Sequence, residues 1–186
     1  MAQNTITETG GIVRDARSRY RTAQREADGA HGAYESETRR SGGSPRAEVS
    51  VSRAEAPADV AELLGTEGPV VVRARKMFDG GRLVQLADTW IPADVAEAAG
   101  IEQVDTGAGG IISRMREAGF DQGAEAVEDV NQRPATADQA AALGVEEGAL
   151  LLTVTHIGAT AEGRVVEVTR HTLGPGWTLR YAAPLD

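Results

Sequence analysis

A strand–turn–strand unit occurs twice in this chain, and that repetition limits the fold more than any other feature. The first copy, Glu67 to Pro92, reads EGPVVVRARKMFDGGRLVQLADTWIP. An apolar run with interleaved arginines meets a Gly80-Gly81 turn, and a second alternating run follows. The second copy, Glu146 to Leu173, reads EEGALLLTVTHIGATAEGRVVEVTRHTL. Each copy is preceded by a short helical stretch ending in Leu-Gly: Pro57 to Gly65 in the first, Thr136 to Gly144 in the second. Glu67-Gly68 matches Glu147-Gly148, Val70-Val71-Val72 matches Leu150-Leu151-Leu152, and Gly81-Arg82 with Val84 matches Gly163-Arg164 with Val166. The offset grows only across loops, as in a diverged duplication. Two such halves predict a largely antiparallel α+β domain, with a ligand seam where they meet.

Alternation assigns the faces of these strands. Val71, Arg73 and Arg75 share one face, while Val70, Val72 and Ala74 share the other and are expected in the core. The partner strand offers Leu83, Gln85, Ala87 and Thr89 on one side. In the second copy Thr153 and Thr155 take the places of Arg73 and Arg75, and Glu167 that of Gln85. Val165, Glu167, Thr169 and His171 fall on one side of their strand. The hairpins would thus share a polar face, with two guanidiniums suited to gripping a carboxylate or phosphate and Glu167 suited to a hydroxyl or amine. Alternation alone leaves this face open between pocket wall and solvent.

Around the repeat, residues 1–11 read as a frayed N-terminus. Ile12 to Ala27, IVRDARSRYRTAQREA, reads as a solvated, linker-like helix reaching to residue 32, despite its five arginines. Ala33 to Arg40 is a second helix, and residues 33–186 form the ligand-binding domain. Arg46 to Arg53 alternates as a strand, Ala93 to Ala99 and Ile111 to Ala118 are short helices, Ala124 to Gln132 is a strand, and Trp177 to Ala182 closes the chain. Thr106-Gly107-Ala108-Gly109-Gly110 gives the helix at Ile111 a glycine-rich entry. It is neither a P-loop nor a dinucleotide fingerprint, and it reads as a pocket-edge loop.

Composition removes several function classes. The chain has no cysteine, which excludes disulfides, thiolate catalysis and cysteine-ligated zinc. Three histidines without ligand spacing argue against a metal site, and no cofactor motif is found. Glu167 and His171 lie roughly 13 Å apart by strand rise, too far for a direct acid–base pair. The net charge is −9. Residues 1–46 carry eight arginines against six acids, so the excess of acid lies in the remainder. An acidic body disfavours nucleic-acid contact. No apolar run is long enough for a membrane span or a signal peptide, and a cytoplasmic location is expected.

From about Tyr34 onward the chain resembles the UTRA domain, the effector-binding half of HutC-type GntR-family transcription regulators. The landmarks are Gly43-Ser44-Pro45, Leu64-Gly65, VVVRARKMFDGGRLVQLADTWIP, GGIISRMREAGF, ADQAAALGVEEGALLLTV and EGRVVEVTRHTL, in the family's order over about four-fifths of the sequence. The resemblance implies a chorismate-lyase-like fold: a bent antiparallel sheet of about six strands, short helices, and small-molecule pockets between the halves. It implies that Arg73, Arg75 and Ser113 hold an anionic group and that Glu167 holds the rest of the ligand. Gln85, Thr153, Thr155, Thr169 and His171 join them as expected ligand-binding positions. Gly176-Trp177 stands where the family often has Asp-Arg followed by an aromatic, a departure that bears on sugar specificity. The resemblance also implies a homodimer, or a dimer with a related regulator, and makes the Ile12–Ala27 segment similar to the linker after a winged helix. Eleven residues precede Ile12, against the roughly sixty an independent domain needs, so no winged helix is expected. Two readings follow. One is a free-standing module that binds a small, anionic metabolite. The other is an enzyme evolved from that module, a cofactor-independent lyase, cyclase or isomerase using Glu167 and His171.

Overall fold

The computed structural model describes residues 12–123 and 126–182; the frayed segment expected at 1–11 lies outside them. Six strands form one antiparallel sheet: β2 (Pro45–Ala54), β3 (Val70–Asp79), β4 (Arg82–Pro92), β5 (Val127–Pro134), β6 (Leu150–Ala159) and β7 (Val165–Leu173). Their order is β2-β3-β4-β7-β6-β5. The duplication is therefore expressed as pseudo-twofold symmetry about the β4–β7 seam. Asp88 faces Arg170 there, and the pairs Ala87–His171 and Thr89–Thr169 flank them symmetrically.

Two helices cover the outer face of the sheet. Helix α3 (Ala58–Leu64) belongs to the first half but packs on β7 of the second, where Val60 and Leu64 meet Val168. Helix α6 (Ala137–Leu143) belongs to the second half and packs on β4 of the first, where Leu143 meets Leu83 and Leu86. Each ends at a left-handed glycine, Gly65 or Gly144. The Thr136 hydroxyl accepts from the Gln139 backbone amide in a capping box. The halves are thus interlocked.

Helices α4 (Ala93–Ala98) and α5 (Gly110–Glu117) cover one end of the inner face. Val71, Ile91, Val166, Ile101 and Met115 form the apolar core beneath them. Val70 is buried as expected, and the other face of β3, left open between pocket wall and solvent, is buried too at Val71, Arg73 and Met77, because helices sit on both sides.

The segment before the sheet departs furthest from its expected form. Residues 12–27 are not one helix. Ile12–Asp15 is a strand, β1, paired in parallel with β8 (Trp177–Arg180). The chain then turns into a single helical turn, α1 (Thr22–Arg25), and a short 3-10 turn at Ala27–Gly29, before α2 (Ala33–Arg40). Ile12 and Val13 bury themselves against the sheet, and Ile12 packs with Tyr34, Met77 and Val84. Helix propensity in this stretch is worth tenths of a kcal/mol per residue, too little to outweigh that apolar burial and the pairing with β8. No helix among the described residues is long and apolar enough to cross a membrane.

Candidate ligand-binding site

The middle of the inner face is hollow. A cavity of about 340 Å³ lies between the sheet, α5 and the segment that precedes α2, within the usual range for small-molecule sites. All three histidines of the chain line it, together with five arginines and three carboxylates.

Arg73, Arg75, Glu167, Thr169 and His171 reach the cavity as the alternation expects. Arg73 is buried, and its guanidinium donates to the backbone carbonyls of Ile101 (2.7 Å), Gln103 (2.5 Å) and Val104 (2.8 Å). It therefore pins the loop after α4. Burial, with help from neighbouring Arg75, pulls its pKa down to about 10. Arg75 is freer. It donates to the Thr89 hydroxyl, which in turn lies 2.6 Å from that of Thr169, while its Nε is buried without a hydrogen-bond partner among the described residues. Its pKa too is lowered, first by burial.

Glu167 is buried, with one carboxylate oxygen 3.1 Å from His156 Nε2 and accepting from the Gln122 amide at 3.0 Å. Burial alone would raise its pKa. His156, Gln122 and Arg75 together outweigh that and hold it below the usual carboxylate value, so it is an acceptor. His171 is held well below its ordinary value, by burial first and then by Arg14, Arg19, Arg75 and His156, so the ring is neutral at pH 7. The Gln85 amide nitrogen lies 3.0 Å from His171 Nδ1 and 2.8 Å from the Met77 sulfur, both acceptors. Nδ1 therefore accepts, and the ring proton sits on Nε2. Gln85 positions His171 from behind.

Two face assignments are corrected. Thr153 and Thr155 pair with Thr172 and Arg170 and lie on the outer side, whereas Val154 and His156 share a face with His171 and Thr169. The repeat is offset by one further residue here, so His156, not Thr155, matches Arg75. A one-residue slip moves every side chain across the sheet. Leu83 and Val165 are also on the outer face, because a β-bulge separates each from Gln85 or Glu167.

Ser113 is fully buried but does not line the cavity. Its hydroxyl accepts from Arg25 (2.7 Å) and donates to Glu26 (2.7 Å). Arg25 belongs to the segment expected to be a solvated linker, as do Arg19 and Tyr20, and all three line the cavity. The Tyr20 ring stacks on His156 with centroids 4.2 Å apart, and its hydroxyl donates to Glu128 at 2.6 Å. Arg14 bonds to both Tyr20 and Glu128, and Arg19 forms an ion pair with Glu37. Arg25 also donates to the carbonyls of Tyr20 (2.9 Å) and Gly109 (3.2 Å). Composition could not separate these arginines from solvated ones, because their partners assemble only in the fold.

The UTRA domain model matches residues 40–174, and the chain belongs to the UTRA domain family. Among solved structures it is similar to one described as a GntR-family transcriptional regulator, with a TM-score of 0.77 at 22% identity, covering 94% of this chain and 71% of that one. The effector domain of PhnF from Mycobacterium smegmatis gives 0.69 at 18% identity, covering 82% of this chain and 94% of that one. PhnF itself gives 0.70 at 21% identity, over 83% and 69%. These likenesses show the shared fold. A search of curated proteins found no match.

Proposed function

We propose that this chain is the effector-binding domain of a GntR-type regulator and that its effector is a small anionic metabolite bound in the inner cavity. One observation carries the reading. Arg25 and Arg73, both buried, and the half-buried Arg75 converge on the cavity, and among the described residues all three bond to neutral oxygens, with no carboxylate in ion-pair contact. A desolvated cation without a direct ion-pair partner is costly, and a bound anion supplies one. In a chain of net charge −9, a cationic hollow is a specific arrangement. Arg75, with a buried Nε unpartnered, is the main grip, and Glu167 and the His171 Nε2–H orient the uncharged part of the ligand.

Titration calorimetry against phosphorylated and carboxylated metabolites tests this. A ligand bound by the native protein should bind at least about tenfold more weakly to Arg75→Gln, a loss of about 1.4 kcal/mol. Equal affinity for both proteins removes the reading. A dimer belongs to the same reading, since edge strand β5 presents Val127 and Val130 to solvent. A monomer in sedimentation experiments removes that part. The enzyme reading has one observation in its favour, the buried Glu167–His156 pair at the cavity wall. Turnover of a bound metabolite, lost in Glu167→Gln, would establish it.

A further inference from the structure

The geometry points to residues 16–31, upstream of the stretch that matches the family model, as the roof of the binding site: a bound anion joins this roof to the sheet, with Arg25 above and Arg75 below. This inference rests on the anion-binding reading and adds to it a ligand-gripping residue and an element that ligand occupancy secures.

Three independent features place the roof. The first is the wall contact, where Tyr20 lies flat on His156, whose Nε2 is 3.1 Å from Glu167. The second is the charge of Arg25. Its side chain is 3% exposed, and it is held by the Tyr20 and Gly109 carbonyls and the Ser113 hydroxyl. Its nearest acid, Glu26, is engaged by Ser113 and by Arg116 at 3.1 Å. Four of the five guanidinium N–H groups have partners if the long 3.4 Å contact to Thr22 is counted, so one donor remains for a ligand, and all four partners are neutral oxygens. Burial, with Arg116 beside it, lowers the Arg25 pKa against the opposing pull of Glu26, Glu167 and Asp121.

The third feature is the seat. The glycine-rich entry to α5 is shaped to receive this segment. The Gly109 amide donates to the Ala30 carbonyl at 2.8 Å. A Cβ on Gly109 would come within 2.1 Å of the Ser113 hydroxyl and 2.8 Å of Glu26 Cγ, and one on Gly110 would come within 2.7 Å of the His31 carbonyl oxygen. Both glycines have positive φ, 80° and 66°. The loop reads less as an anion cradle than as a close-fitting socket for residues 25–32.

A bound anion between Arg25 and Arg75 would therefore hold the roof down. The site is incomplete without the upstream segment, and ligand occupancy secures residues 16–31 against the sheet.

The test uses the full chain with inorganic phosphate and citrate as probes, read by the histidine ring resonances, since all three histidines line the cavity. Both Arg75→Gln and Arg25→Gln are expected to weaken binding at least about tenfold, with Arg25→Lys intermediate. Trypsin cleavage at Arg17, Arg19 and Arg21 in the native protein should slow when a probe is added. If Arg75→Gln weakens binding while Arg25→Gln does not, or if the probes bind without slowing cleavage, the roof inference fails and the anion-binding reading stands. If neither probe shifts the histidine resonances, both fail. Should Arg25→Gln not fold, the cleavage measurement on the native protein decides alone.

Discussion

Val84 and Val166 occupy the same point in the two hairpins: each is the residue its partner strand skips. Met77 pairs with Gln85 and Phe78 with Leu83, leaving Val84 between them, while Gly158 pairs with Glu167 and Ala159 with Val165, leaving Val166. Each bulge puts its valine into the inner core and the residue before it, Leu83 or Val165, on the outer face. Gln85 and Glu167 then follow on the inner face, toward the site. The duplication thus preserves an irregularity along with the regular elements, as expected where bulges aim side chains.

The bulge makes the first prediction. Simple alternation from Glu167 would bury Val165 with the cavity face and send Val166 outward. The structure has Val166 fully buried beside Val71, Ile91 and Met115, and Val165 half-buried. Val166→Ala should cost about 2 kcal/mol in urea unfolding and Val165→Ala less than about 1. Equal costs, or the reverse order, would contradict the bulge.

The two arginines of β3 should separate in a stability measurement. Arg73 satisfies three backbone carbonyls, and no lysine can present that fork. Arg73→Lys is expected to lose about 2 kcal/mol. Arg75 makes one bond to Thr89 and carries its charge into a desolvated site. Replacing it with Met removes that burden, so the unliganded protein should be as stable as the native one or more stable by about 1 kcal/mol. Equal losses in both variants would show that Arg75 is a structural cation.

Much of the fold was legible because its signals are local. The Gly80-Gly81 turn, the two Leu-Gly helix ends and the alternating runs specify their elements within a dozen residues, and the repeat orders them. The site was half legible. Arg73, Arg75, Glu167, Thr169 and His171 lie on strands whose faces alternation assigns, whereas His156 was hidden by a one-residue slip. The roof was not legible at all. β1 has four residues, and its partner β8 lies at the far end of the chain. Arg14, Arg19 and Arg25 look solvated until Glu128, Glu37 and the carbonyls of Tyr20 and Gly109 surround them.

His171 sets an early acid sensitivity. Its folded pKa is well below the ordinary 6.5, so the native state holds the ring neutral while the unfolded chain takes up a proton below that pH. The unfolded state then binds more protons, so stability falls as pH drops below about 6.5, by up to about 1.4 kcal/mol per unit. Glu128 and Glu167, whose folded pKa values are depressed, add their loss only below the ordinary carboxylate range. Chemical unfolding between pH 7 and 5 should show the first loss, and His171→Gln should flatten it. An unchanged profile in that variant would assign the effect elsewhere.

The seat of the roof gives the last prediction. At Gly110 an added methyl meets the His31 carbonyl oxygen at 2.7 Å, a backbone atom that cannot swing aside, and φ is 66°. At Gly80 φ is similar, 58°, but nothing lies within 4 Å of the added atom. Backbone strain is therefore common to both substitutions, about 1 kcal/mol each, and the collision belongs to Gly110→Ala alone. Gly80→Ala should lower stability by that amount and leave trypsin cleavage of residues 16–31 unchanged. Gly110→Ala should cost about 1–3 kcal/mol more, and it should speed cleavage at Arg17, Arg19 and Arg21 because the roof lifts from the α5 entry. If cleavage rates are alike in the two variants, residues 25–32 are not held by that socket.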